Sequence, residues 1–137
     1  MDLATLDNVD LVFMPPSRVE LEFGKDYLDC IFPASTVTMG DPSSLLESQP
    51  LEVTYAYIFT LDEQSLSDLN AGSSIAIRRG FTYGGIRQSL PAKYVELDED
   101  RVILQFLNLG RVDAIIGYLS DIQSATESSQ LPLPYYP

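Results

Sequence analysis

The sequence predicts an α/β protein with a mostly parallel sheet flanked by helices, and three observations carry that reading. The runs Ser74-Ile75-Ala76-Ile77-Arg78 and Val112-Asp113-Ala114-Ile115-Ile116 are short and rich in β-branched residues. The second is apolar enough to be buried on both faces, as parallel strands are. Between them lie segments of helical spacing, clearest where Val102, Ile103, Phe106, Leu107 and Leu109 recur at three and four residues. Glycines then mark the boundaries, at Gly72, Gly80 and Gly110, where helices stop and turns begin. Strands and helices in alternation imply a layered sheet. The predicted division is a partial first lobe over 1–54, a crossing strand or hinge over 55–64, a second lobe over 65–128 and an extended return segment over 129–137.

In chain order, Val9 to Met14 is an apolar run stopped by Pro15-Pro16. It predicts a strand followed by a helix from Arg18 to Phe23, capped by Ser17 and ended at Gly24. Leu28-Asp29-Cys30-Ile31-Phe32 predicts a buried strand in which Cys30 is an inert core thiol. Ser35 to Pro50 is a loop rich in Ser, Gly, Asp and Pro. Leu51 to Leu61 alternates and is β-branched, long enough for one strand that leaves the first lobe and crosses to the second. Tyr55 and Tyr57 lie two apart and share a face, where packing on the sheet is favoured over ligand contact.

Residues Ser65 to Gly72 read as the end of a helix and a turn. The strand Ser74 to Arg78 ends at Gly80, and Thr82 to Leu90 has helical spacing at Ile86 and Leu90, with Thr82 as its N-cap. The amides of Phe81 to Gly84 are then expected to point out of the strand's carboxyl end, the place where open α/β sheets take ligands. Lys93 to Leu97 is the next strand, and Asp98 caps the helix that Gly110 stops. A polar helix follows from Ser120 to about Ser129, and Leu131 to Pro137 is too rich in proline for anything but an extended return.

Composition narrows the chemistry. The 137 residues are 45% hydrophobic, which suffices for one domain or two small lobes with a real core. A net charge of −12 with eight basic residues disfavours nucleic acid, since phosphate binding needs a concentrated positive face. There is no histidine and one cysteine, which removes Ser-His-Asp and Cys-His catalysis and every usual zinc set. Asp98-Glu99-Asp100 is a charge run favourable to a helix start, and no acid and base with opposed environments can be named. The expectation is a protein that is not an enzyme and carries no cofactor or metal. No apolar run approaches the ~20 residues of a membrane span, and Met1-Asp2-Leu3 lacks the basic start of a signal peptide.

The order of the pieces resembles a known family. Ser65, Asp68, Leu69 and Gly72 in "S-x-x-D-L-x-x-G", then a strand, the Arg79-Gly80 turn, and Leu107, Gly110, Arg111, Val112, Asp113, Ala114, Ile115 and Ile116 in "L-x-x-G-R-V-D-A-I-I" are similar to the second lobe of bacterial extracellular solute-binding proteins of family 3. Those proteins serve polar amino acid ABC transporters and have the type II periplasmic binding fold. The stretch Leu28-Asp29-Cys30-Ile31-Phe32-Pro33-Ala34-Ser35 resembles the ligand-facing strand of the first lobe, and Glu47-Ser48-Gln49-Pro50-Leu51 resembles "F-S-x-P-Y" near the hinge, with Glu47 and Leu51 in place of its Phe and Tyr. The resemblance implies a chain truncated at both ends relative to full members, and a periplasmic location. An absent first strand leaves a sheet edge, so a homo-oligomer is expected, segment exchange being one route to it. The implied partners are a small-molecule solute and an ABC transporter permease or a signalling partner, with no nucleic acid.

The family's amino-acid clamp is missing. Its arginine position falls at about Asp41, and no Arg or Lys occurs between Lys25 and Arg78. The residue after Gly80 is Phe81 instead of Thr or Ser, with Thr82 next as a substitute, and the position of the acid that holds the α-amino group is Tyr118. A buried ligand carboxylate without a cation costs several kcal/mol, so a free amino acid held in the family's manner is disfavoured. The implied ligand-binding set is Ser35, Thr36, Gly80, Phe81, Thr82, Tyr83 and Tyr118, an aromatic and hydroxyl surface suited to a neutral or aromatic solute, or to an anion held by amides and hydroxyls. Phe81 and Tyr118 suit packing between lobes equally well. Arg78 and Arg79 are expected on opposite faces, solvated or paired with acids. Beside the solute-binding reading stand a degenerate relative serving assembly and a ligand-sensing domain of a signalling or regulatory protein.

Overall fold

Two strands of this chain are apolar on both sides and so need cover on both sides, and the fold is arranged around them. The computed structural model describes residues 8–32 and 45–137. Its elements are α1 (Pro16–Phe23), β1 (Ala56–Phe59), α2 (Glu63–Ser67), β2 (Ser74–Arg78), a 3-10 turn (Tyr83–Gly85), α3 (Ile86–Ser89), β3 (Lys93–Leu97), α4 (Asp100–Asn108), β4 (Ala114–Tyr118) and α5 (Leu119–Ser129). Among the described residues the strands form one four-stranded sheet in the order β1-β4-β2-β3. β2 is parallel to both β3 and β4, and β1 is an antiparallel edge on β4. This is a mixed α/β architecture with a mostly parallel sheet.

The register puts Ala76 opposite both Val95 and Ile115, and Ile75 opposite both Tyr94 and Ala114. Alternation then sorts the side chains. Phe59, Ala76 and Ile115 face α4 and α5 and meet Ile103, Leu104, Leu107 and Ile122. Ile75, Ile77, Ala114 and Ile116 face the other way, under Tyr83, Ile86, Leu90 and Tyr94. α3, which links β2 to β3, and α4, which links β3 to β4, therefore lie on opposite faces.

The string "G-R-V-D-A" has a structural reading. Gly110 N–H donates to the Leu107 carbonyl and Arg111 N–H to the Phe106 carbonyl, both at 2.9 Å, the paired bonds that close a helix C-terminus. Asp113 lies outside β4, which begins at Ala114 instead of Val112, and it is exposed instead of buried. Its carboxylate accepts from the Ser74 N–H at 2.7 Å and the Ser74 hydroxyl at 2.9 Å, while its own N–H donates to the Ser74 carbonyl at 2.9 Å. Asp113 thus pins the amino ends of β2 and β4 together.

Several predicted elements take another form. Val9 to Met14 is exposed for the most part and forms no strand. α1 begins at Pro16, with proline in its first turn and Pro15 as N-cap, so Ser17 lies inside the helix; Gly24 ends it as predicted. Residues 28–32 form no strand and Cys30 is exposed. Both segments lack a ladder partner among the described residues, and a strand without one leaves its backbone groups to water. The expected strand over Leu51 to Leu61 is reduced to β1 because β4 ends at Tyr118, opposite Ala56. Residues 51–55 run on past that partner, with Tyr55 69% exposed. Tyr57 does pack on the sheet, 5.2 Å from the Tyr136 ring. The return segment is extended, and Thr60 and Tyr135 exchange backbone hydrogen bonds at 2.9 Å each way. Asp98 does not cap α4, whose N-cap is Glu99, because its carboxylate is taken by Arg79 Nε at 2.8 Å.

Candidate functional site

After β2 the chain turns toward the face that carries α3, and after β4 it turns toward the face that carries α5. β2 and β4 are neighbours, so their exits diverge at the carboxyl edge, the switch point at which open α/β sheets take ligands. The exit of β2 supplies Gly80 to Tyr83, and the exit of β4 supplies Tyr118.

The Gly80 turn differs from the predicted helix start. Phe81 N–H donates to the Arg78 carbonyl at 3.2 Å, so this amide is used within the turn instead of facing outward. Tyr83 has φ +48°, Gly84 +69° and Gly85 +78°, and this left-handed run splits the expected helix into a 3-10 turn and the single turn of α3. A tyrosine in that region is strained, as residues at ligand-contacting turns often are. Thr82 has no capping bond, and its Oγ1 is buried without a hydrogen-bond partner among the described residues.

Three aromatic rings from the two exits meet. Phe81 and Tyr83 are stacked at 5.6 Å, Tyr83 and Tyr118 lie at 5.2 Å, and Phe81 meets Tyr118 edge-on at 6.2 Å. Ile77 and Ile116 lie beneath them in the same apolar layer. The Arg78 guanidinium stands over the Phe81 ring at 5.2 Å while Nη1 donates to the Asp100 carboxylate at 2.9 Å. Burial pushes the Tyr83 hydroxyl well above the usual phenol range. Burial, aided by the charge of Asp121, also raises Tyr118. Both stay neutral at physiological pH and can donate or accept. Burial raises the Asp100 carboxyl against the pull of Arg78.

Two concavities flank this edge. One of about 450 Å³ is open and lined by Arg78, Asp100, Arg101, Asp121, Ser124 and Ser128. The other, about 170 Å³, lies between Thr54, Tyr55, Tyr57, Tyr118, Leu119 and Ser120. The first turn of α1 approaches from outside: a Cβ placed on Gly80 would stand 2.7 Å from the Ser17 nitrogen.

Of the residues predicted for a site, Gly80, Phe81, Thr82, Tyr83 and Tyr118 are brought to one edge, and Ser35 and Thr36 lie outside the described residues. Arg78 and Asp100 were expected as an acid-paired cation and a helix-start acid, not as neighbours of the rings. The readable signal was that Arg78 ends β2 and Asp100 opens the helix after β3, which places both at the carboxyl edge. Arg79 pairs with Asp98 at 2.8 Å and Glu96 at 3.8 Å, as the acid-paired expectation had it.

No protein-family description matches the sequence, and no curated protein matches it. Among solved structures, the chain is similar to an amino acid ABC transporter substrate-binding protein, AbpA from Streptococcus pneumoniae, bound to L-arginine, with TM-score 0.48 and 18% identity over 58% of this chain and 36% of that one. It is also similar to a mutant of ArgBP from T. maritima, with TM-score 0.43 and 17% identity over 61% of this chain and 42% of that one. The chain thus spans 36% and 42% of the lengths of these two structures.

Proposed function

We propose that this chain is a small-solute-binding protein of the type that serves ABC transporters, and that its solute sits in the crevice where β2 and β4 diverge. The observation that carries this reading is the buried Thr82 hydroxyl, which has no hydrogen-bond partner among the described residues and is set between Phe81 and Tyr83 in the cluster with Tyr118 at the carboxyl edge. A buried hydroxyl without a partner costs about 1–3 kcal/mol, and a ligand atom that hydrogen-bonds to it recovers much of that. Arg78, the cation beside the rings, is already held by Asp100, so it is not free to pair with a ligand carboxylate. It favours a neutral or aromatic solute held by ring faces and hydroxyls, or an anion held by amides and hydroxyls. In this reading the described part of 1–54 contributes to a first lobe, 55–64 cross between lobes and 65–128 form the second, and the action is binding without chemistry in a periplasmic setting.

The test is thermal melting with L-glutamine, L-phenylalanine, benzoate and inorganic phosphate, with molar mass in solution recorded on the same sample. Ligand at about 100-fold its dissociation constant adds about 2.7 kcal/mol, a rise of several degrees for a domain this small. A rise with one class supports the reading and names the chemistry. A second reading, an assembly protein whose cleft takes no solute, is favoured by exposed apolar residues such as Phe13, 92% exposed, and Tyr55. No rise with any solute, together with a stable dimer or larger, selects it.

A further inference from the structure

Among the described glycines, Gly80 alone combines left-handed backbone, φ +83°, with a neighbour that leaves no room for a side chain. A Cβ there would stand 2.7 Å from the Ser17 nitrogen and 3.2 Å from the Pro16 Cβ. The start of α1 therefore rests on the turn that exits β2, the same turn that supplies Phe81, Thr82 and Tyr83 to the crevice. Beyond that contact, α1 is half-buried at Val19, Glu20, Glu22 and Phe23. It fully buries none of its residues, and the Arg18 side chain is 68% exposed. A helix of eight residues that fully buries no side chain is marginal alone, so the contact with the Gly80 turn contributes to holding it in place.

We infer that α1 is a self-docked lid: Pro16 and Ser17 occupy the mouth of the Gly80 turn, and a solute entering the crevice must displace them. This rests on the solute-binding reading above. Only the lid-open fraction binds, so a lid closed in nine molecules of ten weakens apparent affinity about tenfold. A substitution that opens the lid without touching the rings tightens binding by the same factor.

Pro16→Gly removes both the Cβ that meets Gly80 and the residue that fixes the first helical turn, and leaves the crevice intact. Amide hydrogen exchange over residues 17–24 reads docking directly, and titration with the same four solutes reads the competition. The expected result is faster exchange in those amides together with about tenfold tighter binding of whichever solute binds the wild type. Gly80→Ala is expected to free α1 as well, because its Cβ collides with Ser17. Gly84→Ala is the control: it carries comparable strain, φ +69°, with no atom within 4 Å, and leaves α1 docked. Equal affinity in wild type and Pro16→Gly, with α1 released, overturns the lid while solute binding stands. Wild-type α1 amides exchanging at the rate of unstructured chain also overturn it. No binding to either protein overturns the solute reading, and the lid with it.

Discussion

Phe59→Ala is expected to lower stability by about 3–5 kcal/mol, close to the whole stability of a small domain. Phe59 is fully buried on edge strand β1, where its ring lies 5.4 Å from Tyr136 of the return segment and 6.3 Å from Tyr57. The layer it joins includes Ile103, Leu104 and Leu107 of α4 and Ile122 of α5. Two helices and a return segment cannot all move in to fill the space, so the cavity term adds in full to the lost transfer energy. β1 is also the antiparallel edge, held by β4 on one side and by the Thr60–Tyr135 pair. Urea unfolding should show the midpoint falling with the slope unchanged. A loss under about 1 kcal/mol would mean that β1 and the return segment are not part of the same cooperative unit.

Ile77→Ala, on the opposite face and 1% exposed, is expected to cost about 2–3 kcal/mol, the lower half of the range for such truncations. The cover there is a 3-10 turn and the single turn of α3, short elements that can settle toward the sheet. That settling carries a second effect. Ile77 shares its layer with Tyr83, Phe81 and Tyr118, so collapse should disturb the ring cluster and weaken the near-ultraviolet circular dichroism of the tyrosines. Phe59→Ala, on the far face, should leave the ring cluster itself intact in the fraction that remains folded, its change in tyrosine signal coming from Tyr57 and Tyr136 instead.

β2 and β3 have the bounds predicted from sequence, and α5 differs only at its first residue. Those elements are set locally, by β-branched runs against glycine turns and by helical spacing. What was misread depended on partners. Val9 to Met14 and Leu28 to Phe32 have strand-like composition, yet a strand exists only where a neighbour completes its ladder. Thr82 to Leu90 has helical spacing, but the Gly84-Gly85 pair and the left-handed Tyr83 break it. Asp98 looks like a cap until Arg79 claims it. The aromatic part of the candidate site was legible because Phe81, Tyr83 and Tyr118 follow strand ends directly in sequence. The Arg78–Asp100 pair was not, since it joins residues 22 apart that only the connection through α3 and β3 brings to 2.9 Å.

The central claim is that the divergence of β2 and β4 forms a working site. Mapping backbone and aromatic chemical shifts while the protein is titrated with the solute that raises its melting temperature tests this most directly. Shifts should concentrate at Gly80 to Tyr83 and Tyr118 to Asp121, with little change along β3. A melting rise accompanied by shifts confined to residues outside that edge, or spread evenly over the sheet, would contradict it.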